Sequence, residues 1–130
     1  HFIRSVLEGV GFSLRHRLEV LEGLGVDISE ATFAGGASKS RVWMQILADI
    51  TNKKISRLHT AECNALGTII LGGVGVELYK DVETACKQLL PTKDFTDPNK
   101  NSVEIYDGLF QTYKKLYIVT KDLTRSVSAH

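Results

Sequence analysis

A glycine turn between a short apolar segment and an amphipathic helix is the feature that most limits how this chain can fold. The segment Thr32–Ala34 leads into Gly35–Ala37, and either Ser38 or Ser40 can cap the helix that follows. That helix repeats apolar residues at helical spacing, at Val42, Trp43, Ile46, Leu47 and Ile50. The order of strand, turn and helix predicts an α/β layer with at least some parallel strand pairing.

The same turn is open to a ligand in chemical terms. Gly35 and Gly36 carry no side chains that would block an approach. The start of the helix offers unpaired N–H groups to an anion or to the polar edge of a ring. We interpret the stretch as a nucleotide-binding turn, although the local sequence taken alone favours a plain strand-to-helix turn.

Two better-known phosphate motifs do not fit this turn. A P-loop needs a glycine immediately before its lysine, and here Ser38 precedes Lys39. A dinucleotide-binding domain needs the G-x-G-x-x-G pattern between strand and helix, which the turn lacks. A wrapped phosphate cradle and a dinucleotide-dependent oxidoreductase are therefore both disfavoured.

Hydrophobic periodicity predicts the order helix, strand, helix, strand and then three helices. The helices are expected at residues 2–22, 40–51, 62–71, 81–90 and 101–123, and the strands at 28–34 and 54–58. Residues 72–75 are expected to end the third helix, residues 91–101 to form a polar loop, and Asn101 to Glu104 to form a capping box. Two strands are too few for an independent sheet, so we expect partner strands upstream.

Glycines inside predicted helices indicate close packing. Gly9 and Gly11 each cost up to about 1 kcal/mol in an exposed helix, so we expect both to touch a neighbouring element. In the third helix, Gly67 and its small neighbours Ala61, Ala65 and Thr68 predict close approach to the sheet. The chain starts at His1 in mid-pattern without a methionine, which suggests a piece of a longer protein.

Several polar and aromatic side chains have both a functional and a structural interpretation. Gln45 and Asp49 share one helix face, where they can reach a ligand, order a loop or form a surface pair. Glu62 suits the start of a helix, and Trp43 suits the core better than a stacking platform. The tyrosines of the last helix, at Tyr106, Tyr113 and Tyr117, are expected in the core.

Composition narrows the class of partner. The 130 residues carry a formal net charge of +1, which gives no electrostatic attraction to nucleic acid or to acidic membranes. The four histidines, among them His59 and His130, lack the spacing of a metal site, and Cys63 and Cys86 are expected to be buried thiols in a reducing cytosol. The residues define no catalytic triad, carboxylate pair or activated cysteine.

Three blocks in a fixed order give a more specific indication than any single motif. Residues 4–15, Gly35–Asp49 and Glu62–Gly75 resemble the C-terminal end of the FGGY carbohydrate kinases, and the resemblance covers nearly the whole chain. It implies that residues 1–130 are the C-terminal fragment of the nucleotide-binding domain, which has a ribonuclease-H-like, actin-like ATPase fold. Asn52 stands where family members frequently carry glycine.

The resemblance also implies a function and a set of site residues. The family transfers the γ-phosphate of ATP, with Mg²⁺, to a sugar or polyol that is bound mainly by an N-terminal domain. By position, Gly35, Gly36, Ala37 and Ser40 would contact the nucleotide, and the helix with Trp43, Gln45 and Asp49 would support the turn.

The catalytic base is expected in the N-terminal domain, so no catalytic residue is assigned here and the fragment alone is expected to be inactive. We expect a cytoplasmic protein, with neither nucleic acid nor membrane as a partner, and the resemblance is compatible with a homodimer. A non-catalytic actin-like or kinase-derived module, which binds nucleotide or protein without turnover, is the alternative interpretation.

Overall fold

Five α-helices and three short strands make up the part of the chain that the computed structural model describes, residues 1–58, 62–90 and 93–128. In chain order the elements are α1 Phe2–Gly23, β1 Glu30–Phe33, a 3₁₀ turn Gly36–Lys39, α2 Arg41–Thr51, β2 Lys54–Leu58, α3 Cys63–Gly75, α4 Val82–Leu89, β3 Lys93–Thr96 and α5 Lys100–Ser128. The helix-rich α/β class predicted from the sequence is confirmed.

The sheet has the strand order β1-β2-β3. β1 and β2 are parallel, with Phe33 opposite Arg57, and β3 runs antiparallel to β2, with Asp94 opposite Arg57. The expectation that residues 91–101 form a loop is wrong, because β3 lies within them. Its four residues, Lys93-Asp-Phe-Thr96, are too short and too polar to carry a strand signal, and pairing with β2 decides their conformation.

Helix α2 is the centre of the described structure. One side of it packs with α1 and α5 through Ile46 and Ile50, and the other side packs on the strands through Met44 and Leu47. Ile50 is 0% exposed, and every residue of α2 from Met44 to Thr51 except Gln45 is buried. The helix that carries the candidate turn at its start is therefore held from both sides.

The close-packing prediction for α1 is confirmed at Gly11 and wrong at Gly9. A Cβ added at Gly11 would lie 2.6 Å from Cδ1 of Ile50, whereas a Cβ at Gly9 would meet no atom of the described residues within 4 Å. Phe12 is the other buried residue of α1, and it packs its ring against Tyr106 and Phe110 of α5. Gly11 thus sets the distance between α1 and α2.

The third helix is longer than its glycines suggest. It continues through Gly72 and ends at Gly75, with Val76 as its C-cap, and the next residue, Glu77, adopts a positive φ of 61°. Gly73 accepts the backbone N–H groups of Leu78 and Tyr79, and a Cβ there would lie 2.7 Å from the Tyr79 ring. The expected approach of α3 to the sheet at Gly67 is wrong, since within residues 1–58, 62–90 and 93–128 a Cβ there would meet no atom within 4 Å. Ala61 and His59 lie outside the described residues.

Helix α4 begins as the sequence predicts. The side chain of Asp81 accepts a hydrogen bond of 2.7 Å from the backbone N–H of Thr84. This bond lowers the pKa of the Asp81 carboxyl below its usual value of 3.8. The two cysteines, Cys63 of α3 and Cys86 of α4, are half-buried, so the expectation that they are buried is wrong.

The last helix differs from its prediction in its start and in its buried face. Asn99 caps α5, because its Oδ1 accepts the N–H groups of Asn101 and Ser102, so the expected capping box at Asn101 is wrong. The helix runs past the expected end near Leu123 to Ser128. Of the predicted core tyrosines, Tyr106 is buried and Tyr113 is half-buried, but Tyr117 is 67% exposed. The tail residue His130 lies outside the described residues.

Candidate functional site

The candidate turn closes on its own backbone. Gly35 has φ +80°, in the left-handed region that favours glycine, which redirects the chain after β1. Its carbonyl accepts two hydrogen bonds from Ser38, one from the backbone N–H at 3.2 Å and one from Oγ at 2.8 Å. Ser38 is 4% exposed. Ser38 is therefore a structural residue of the turn, and the sequence alternative that it caps the helix is not realised.

The other side of the turn faces open space. Gly36 is exposed, and a Cβ added at Gly35 or Gly36 would meet nothing within 4 Å of the described residues. Ala37 follows in the same 3₁₀ turn. A ligand can thus approach the backbone of these residues directly, and any side chain at Gly36 would occupy the space of that ligand.

Ser40 is the N-cap of α2. Its backbone is extended, and its Oγ accepts a hydrogen bond of 3.3 Å from the backbone N–H of Trp43. A serine hydroxyl has one proton to donate as well as two acceptor positions. Ser40 can therefore cap the helix and still donate to an acceptor atom of a ligand beside the turn.

Trp43 is half-buried and packs against both apolar clusters around α2. Its indole Nε1 is buried and has no hydrogen-bond partner within residues 1–58, 62–90 and 93–128. The side chain thus contributes apolar packing that fixes the first turn of α2, as expected from the sequence.

Gln45 and Asp49 connect α2 to the loop between β3 and α5. The Nε2 group of Gln45 donates to Oδ1 of Asp49 at 2.8 Å and to the backbone carbonyl of Asp97 at 3.0 Å. The same Oδ1 of Asp49 accepts the backbone N–H of Asn99 at 2.8 Å, and Asp49 is 6% exposed. Of the three roles that the sequence left open, this geometry matches the ordering of a loop. Through Asn99, the pair also fixes the start of α5.

Sequence reasoning missed Arg57, which touches the turn. Its guanidinium donates from Nε at 3.0 Å and from Nη2 at 2.5 Å to the same oxygen, Oδ2 of Asp94. Its Nη1 donates to the backbone carbonyl of Ser38 at 3.4 Å. The only sequence signal was an arginine near the end of an alternating strand, and the residue opposite it, Asp94, belonged to a segment expected to be a loop.

A cleft of about 480 Å³ lies beside the turn, between α2 and the strands β2 and β3. Two cations, Arg41 and Arg57, and two acids, Asp94 and Asp97, line it together with Met44, Gln45, Phe95 and Thr96. Arg41 directly follows Ser40, so the cleft begins where the turn ends. Its mixed charge suits a polar ligand, and no residue from Gly35 to Ser40 is among those that line it.

Among residues 1–58, 62–90 and 93–128 there is no group of three or more His, Cys, Asp or Glu side chains that could hold an ion.

Across the same residues, no helix is both long and apolar enough to cross a membrane.

The chain matches known proteins over nearly its whole length. Residues 1–76, which include the turn, match the C-terminal domain of the FGGY family of carbohydrate kinases. A xylulose kinase of Staphylococcus epidermidis is 32% identical over 123 residues, which are 95% of this chain and 25% of that protein. An autoinducer-2 kinase of Enterobacter sp. (strain 638) is 35% identical over 109 residues, which are 79% of this chain and 20% of that protein.

The fold is also that of solved kinases. The crystal structure of xylulose kinase from Rhodospirillum rubrum superposes with a TM-score of 0.77 at 29% identity, over 95% of this chain and 25% of that one. The chain therefore spans about a quarter of the length of the curated relatives and solved structures that it matches.

Proposed function

This chain belongs to the FGGY family of carbohydrate kinases, and we propose that it is the C-terminal part of the nucleotide-binding domain of an ATP-dependent kinase. In this proposal residues 1–130 form one side of a cleft between two domains, and the rest of the protein forms the other. The complete protein transfers the γ-phosphate of ATP to a hydroxyl of a sugar or polyol and releases ADP.

One observation supports this role above the others. The turn at Gly35 and Gly36 is rigidly closed on its protein side by Ser38, and it has open space on its other side. A closed backbone with an open face is what a planar base and a ribose need for close contact. Gly35, Gly36 and Ala37 would thus contact adenosine through their backbone, and the hydroxyl of Ser40 would donate to it.

The contribution of this chain to the reaction is positioning. Phosphoryl transfer depends mainly on the alignment of the transferred group and on the stabilisation of its charge. The turn would hold the adenosine end of ATP, so that the phosphates extend toward the acceptor across the cleft. Trp43 would fix the start of α2 behind the turn, while Gln45 and Asp49 would hold the adjoining loop. Closure of the two domains would exclude water and limit the wasteful hydrolysis of ATP.

Magnesium belongs to this proposal only through the nucleotide. The acids beside the turn, Asp94 and Asp97, do not form a metal-ligating group with other side chains in the described part of the chain. We therefore assign none of these residues to Mg²⁺. The ion would be held by the phosphates of ATP and by residues outside this chain, where the general base also belongs.

In this proposal the acceptor is a sugar or polyol, and the residues that select it belong to the other domain. The relatives that match the chain are named for different acceptors, xylulose, ribulose and autoinducer-2, at similar identities of 30 to 35%. This spread supports a shared nucleotide side and a variable acceptor side. We also propose that the complete protein is a cytoplasmic enzyme whose partners are ATP and the acceptor.

The test is an assay of the full-length protein with Mg²⁺-ATP and a panel of pentuloses, hexuloses, gluconate and glycerol, in which the release of ADP is measured. We expect one acceptor class to stimulate ADP release well above the rate with ATP alone. Binding of ATP without stimulation by any acceptor would instead support a non-catalytic module and would contradict the kinase assignment.

A further inference from the structure

We propose that Arg57 is a positioning residue for the nucleotide, which acts by holding the carbonyl of Ser38 and thereby the shape of the turn. The inference rests on the proposed function, since it assumes that the turn binds ATP. Under this proposal, a residue of a strand, outside the glycine turn, contributes to the affinity for the nucleotide.

The position of Arg57 on the sheet makes this role available to it. Arg57 lies on the central strand β2, opposite Phe33 of β1 and opposite Asp94 of β3. Phe33 is the last residue of the strand that leads into the turn, and Asp94 is the acid of the outer strand. Arg57 is the one residue of β2 that lies opposite both. Its side chain is 18% exposed.

The guanidinium uses two sides of its planar fork. Nε and Nη2 donate to Oδ2 of Asp94, at 3.0 and 2.5 Å, and this pair fixes the plane of the group. The remaining nitrogen, Nη1, then points to the carbonyl of Ser38 at 3.4 Å. A lysine has a single nitrogen on a flexible stem, so it can satisfy one of these partners but cannot bridge them in a fixed plane.

The carbonyl of Ser38 is the atom through which Arg57 can affect the shape of the turn. Ser38 closes the turn by donating twice to the carbonyl of Gly35, so a contact that holds the carbonyl of Ser38 also holds the residue that closes the turn. Ser38 is buried and Gly36 is exposed, so Arg57 acts on the protein side while the ligand approaches the open side. Asp94 in turn aligns Arg57, which links β3 to the turn.

A purely structural role would have a different signature. If Arg57 only joined β2 to β3, its replacement would lower stability and would change all kinetic constants together or none of them. A positioning role predicts a selective rise in the KM for ATP, because only the nucleotide contacts the turn.

The experiment compares Arg57→Lys, Arg57→Gln and Asp94→Asn with wild type in the full-length enzyme. The measured quantities are the KM for ATP, the KM for the acceptor, kcat and the melting temperature. We expect Arg57→Gln to raise the KM for ATP about tenfold, with Arg57→Lys and Asp94→Asn in between, and the KM for the acceptor within about twofold of wild type.

Arg15→Lys is the matched control. Arg15 is similarly buried, at 15% exposure, and its Nη1 donates to Asp107 at 2.7 Å and to the carbonyl of Ile50 at 3.0 Å, away from the turn. It should lower the melting temperature without a selective effect on the KM for ATP. If the Arg57 and Asp94 variants behave like Arg15→Lys, the inference is wrong.

A fifth variant, Gly36→Val, separates the inference from the proposed function. If Gly36→Val raises the KM for ATP and the Arg57 variants do not, the turn binds ATP but Arg57 does not position it. If Gly36→Val also leaves the KM for ATP unchanged, both the proposed function of the turn and the inference are overturned.

Discussion

Gly11 of α1 lies so close to Ile50 of α2 that a Cβ on the glycine would be 2.6 Å from Cδ1 of the isoleucine. Ile50 is 0% exposed, so its side chain has little room to move away. Gly9, two residues earlier in the same helix, would place a Cβ in open space. The two glycines therefore form a matched pair with the same helix propensity and different surroundings.

We predict that Gly11→Ala is less stable than Gly9→Ala by about 1–3 kcal/mol, the usual cost of overpacking a core. Gly9→Ala itself should stabilise the protein by up to about 1 kcal/mol, because alanine favours the helix. Urea unfolding of the full-length protein measures both. Equal stability of the two variants would contradict the observed contact between α1 and α2.

The pair of Gln45 and Asp49 predicts a second effect on stability. Asp49→Ala removes the oxygen that accepts from Gln45 and from the backbone N–H of Asn99, so both hydrogen bonds of Asp49 that hold the start of α5 against α2 are lost. We expect a loss of about 1–3 kcal/mol in the free energy of unfolding. Asp97→Ala is the control, because Gln45 bonds to the carbonyl of Asp97 and not to its side chain. A loss of the same size in the control would count against this account of the loop.

Tyr106 predicts a pH dependence at the alkaline end. Burial raises the pKa of the Tyr106 phenol above its ordinary value of 10.0, and its hydrogen bond to Glu8 raises it further. The folded state then favours the neutral phenol, so this stabilisation is complete below the unfolded pKa and is lost as the pH rises through the folded pKa.

Tyr106→Phe should therefore show a smaller loss of stability than wild type when urea midpoints are compared from about pH 8 to about pH 11. Tyr117→Phe serves as the control, since Tyr117 is 67% exposed. It should keep the wild-type slope. A Tyr106→Phe slope equal to that of wild type would show that this phenol does not contribute.

The 130-residue polypeptide alone should have no kinase activity. In the proposed enzyme, the general base and the acceptor site belong to the other domain, and alignment across the cleft is the main source of the rate. The measurement is ADP release from Mg²⁺-ATP with and without the acceptor that the full-length enzyme uses. Robust acceptor-dependent ADP release by the short polypeptide would overturn the proposed division of roles.

Local patterns predicted those features of the fold that depend on local chemistry. The β2 strand at Lys54–Leu58, the cap of α2 at Ser40 and the cap of α4 at Asp81 all follow from residue type and spacing. Asn52 is the C-cap of α2 and adopts φ 51°, in the left-handed region that favours glycine, so the glycine that the family resemblance led us to expect at this position would have a backbone cause.

Features that depend on distant partners could not be predicted in this way. Helix α5 carries apolar residues on more than one face, and only its packing on Phe12 and Ile46 decides that Tyr106 and Phe110 are buried while Ile105 and Leu109 are exposed. Arg57 contacts Ser38 and Asp94, which lie 19 and 37 residues away in sequence. The contact with Asp94 exists only once β3 pairs with β2, and β3 itself has no strand signal.

The most direct measurement for the whole account is the KM for ATP of Gly36→Val in the full-length enzyme. Valine would fill the open space beside the turn and block the approach of adenosine to the backbone. We predict a rise in the KM for ATP of about tenfold or more, equivalent to about 1.4 kcal/mol, with the KM for the acceptor unchanged. Gly108→Val, at another glycine with open space around it, should leave the KM for ATP unchanged. An unchanged KM for ATP in Gly36→Val would contradict the assignment of this turn to the nucleotide.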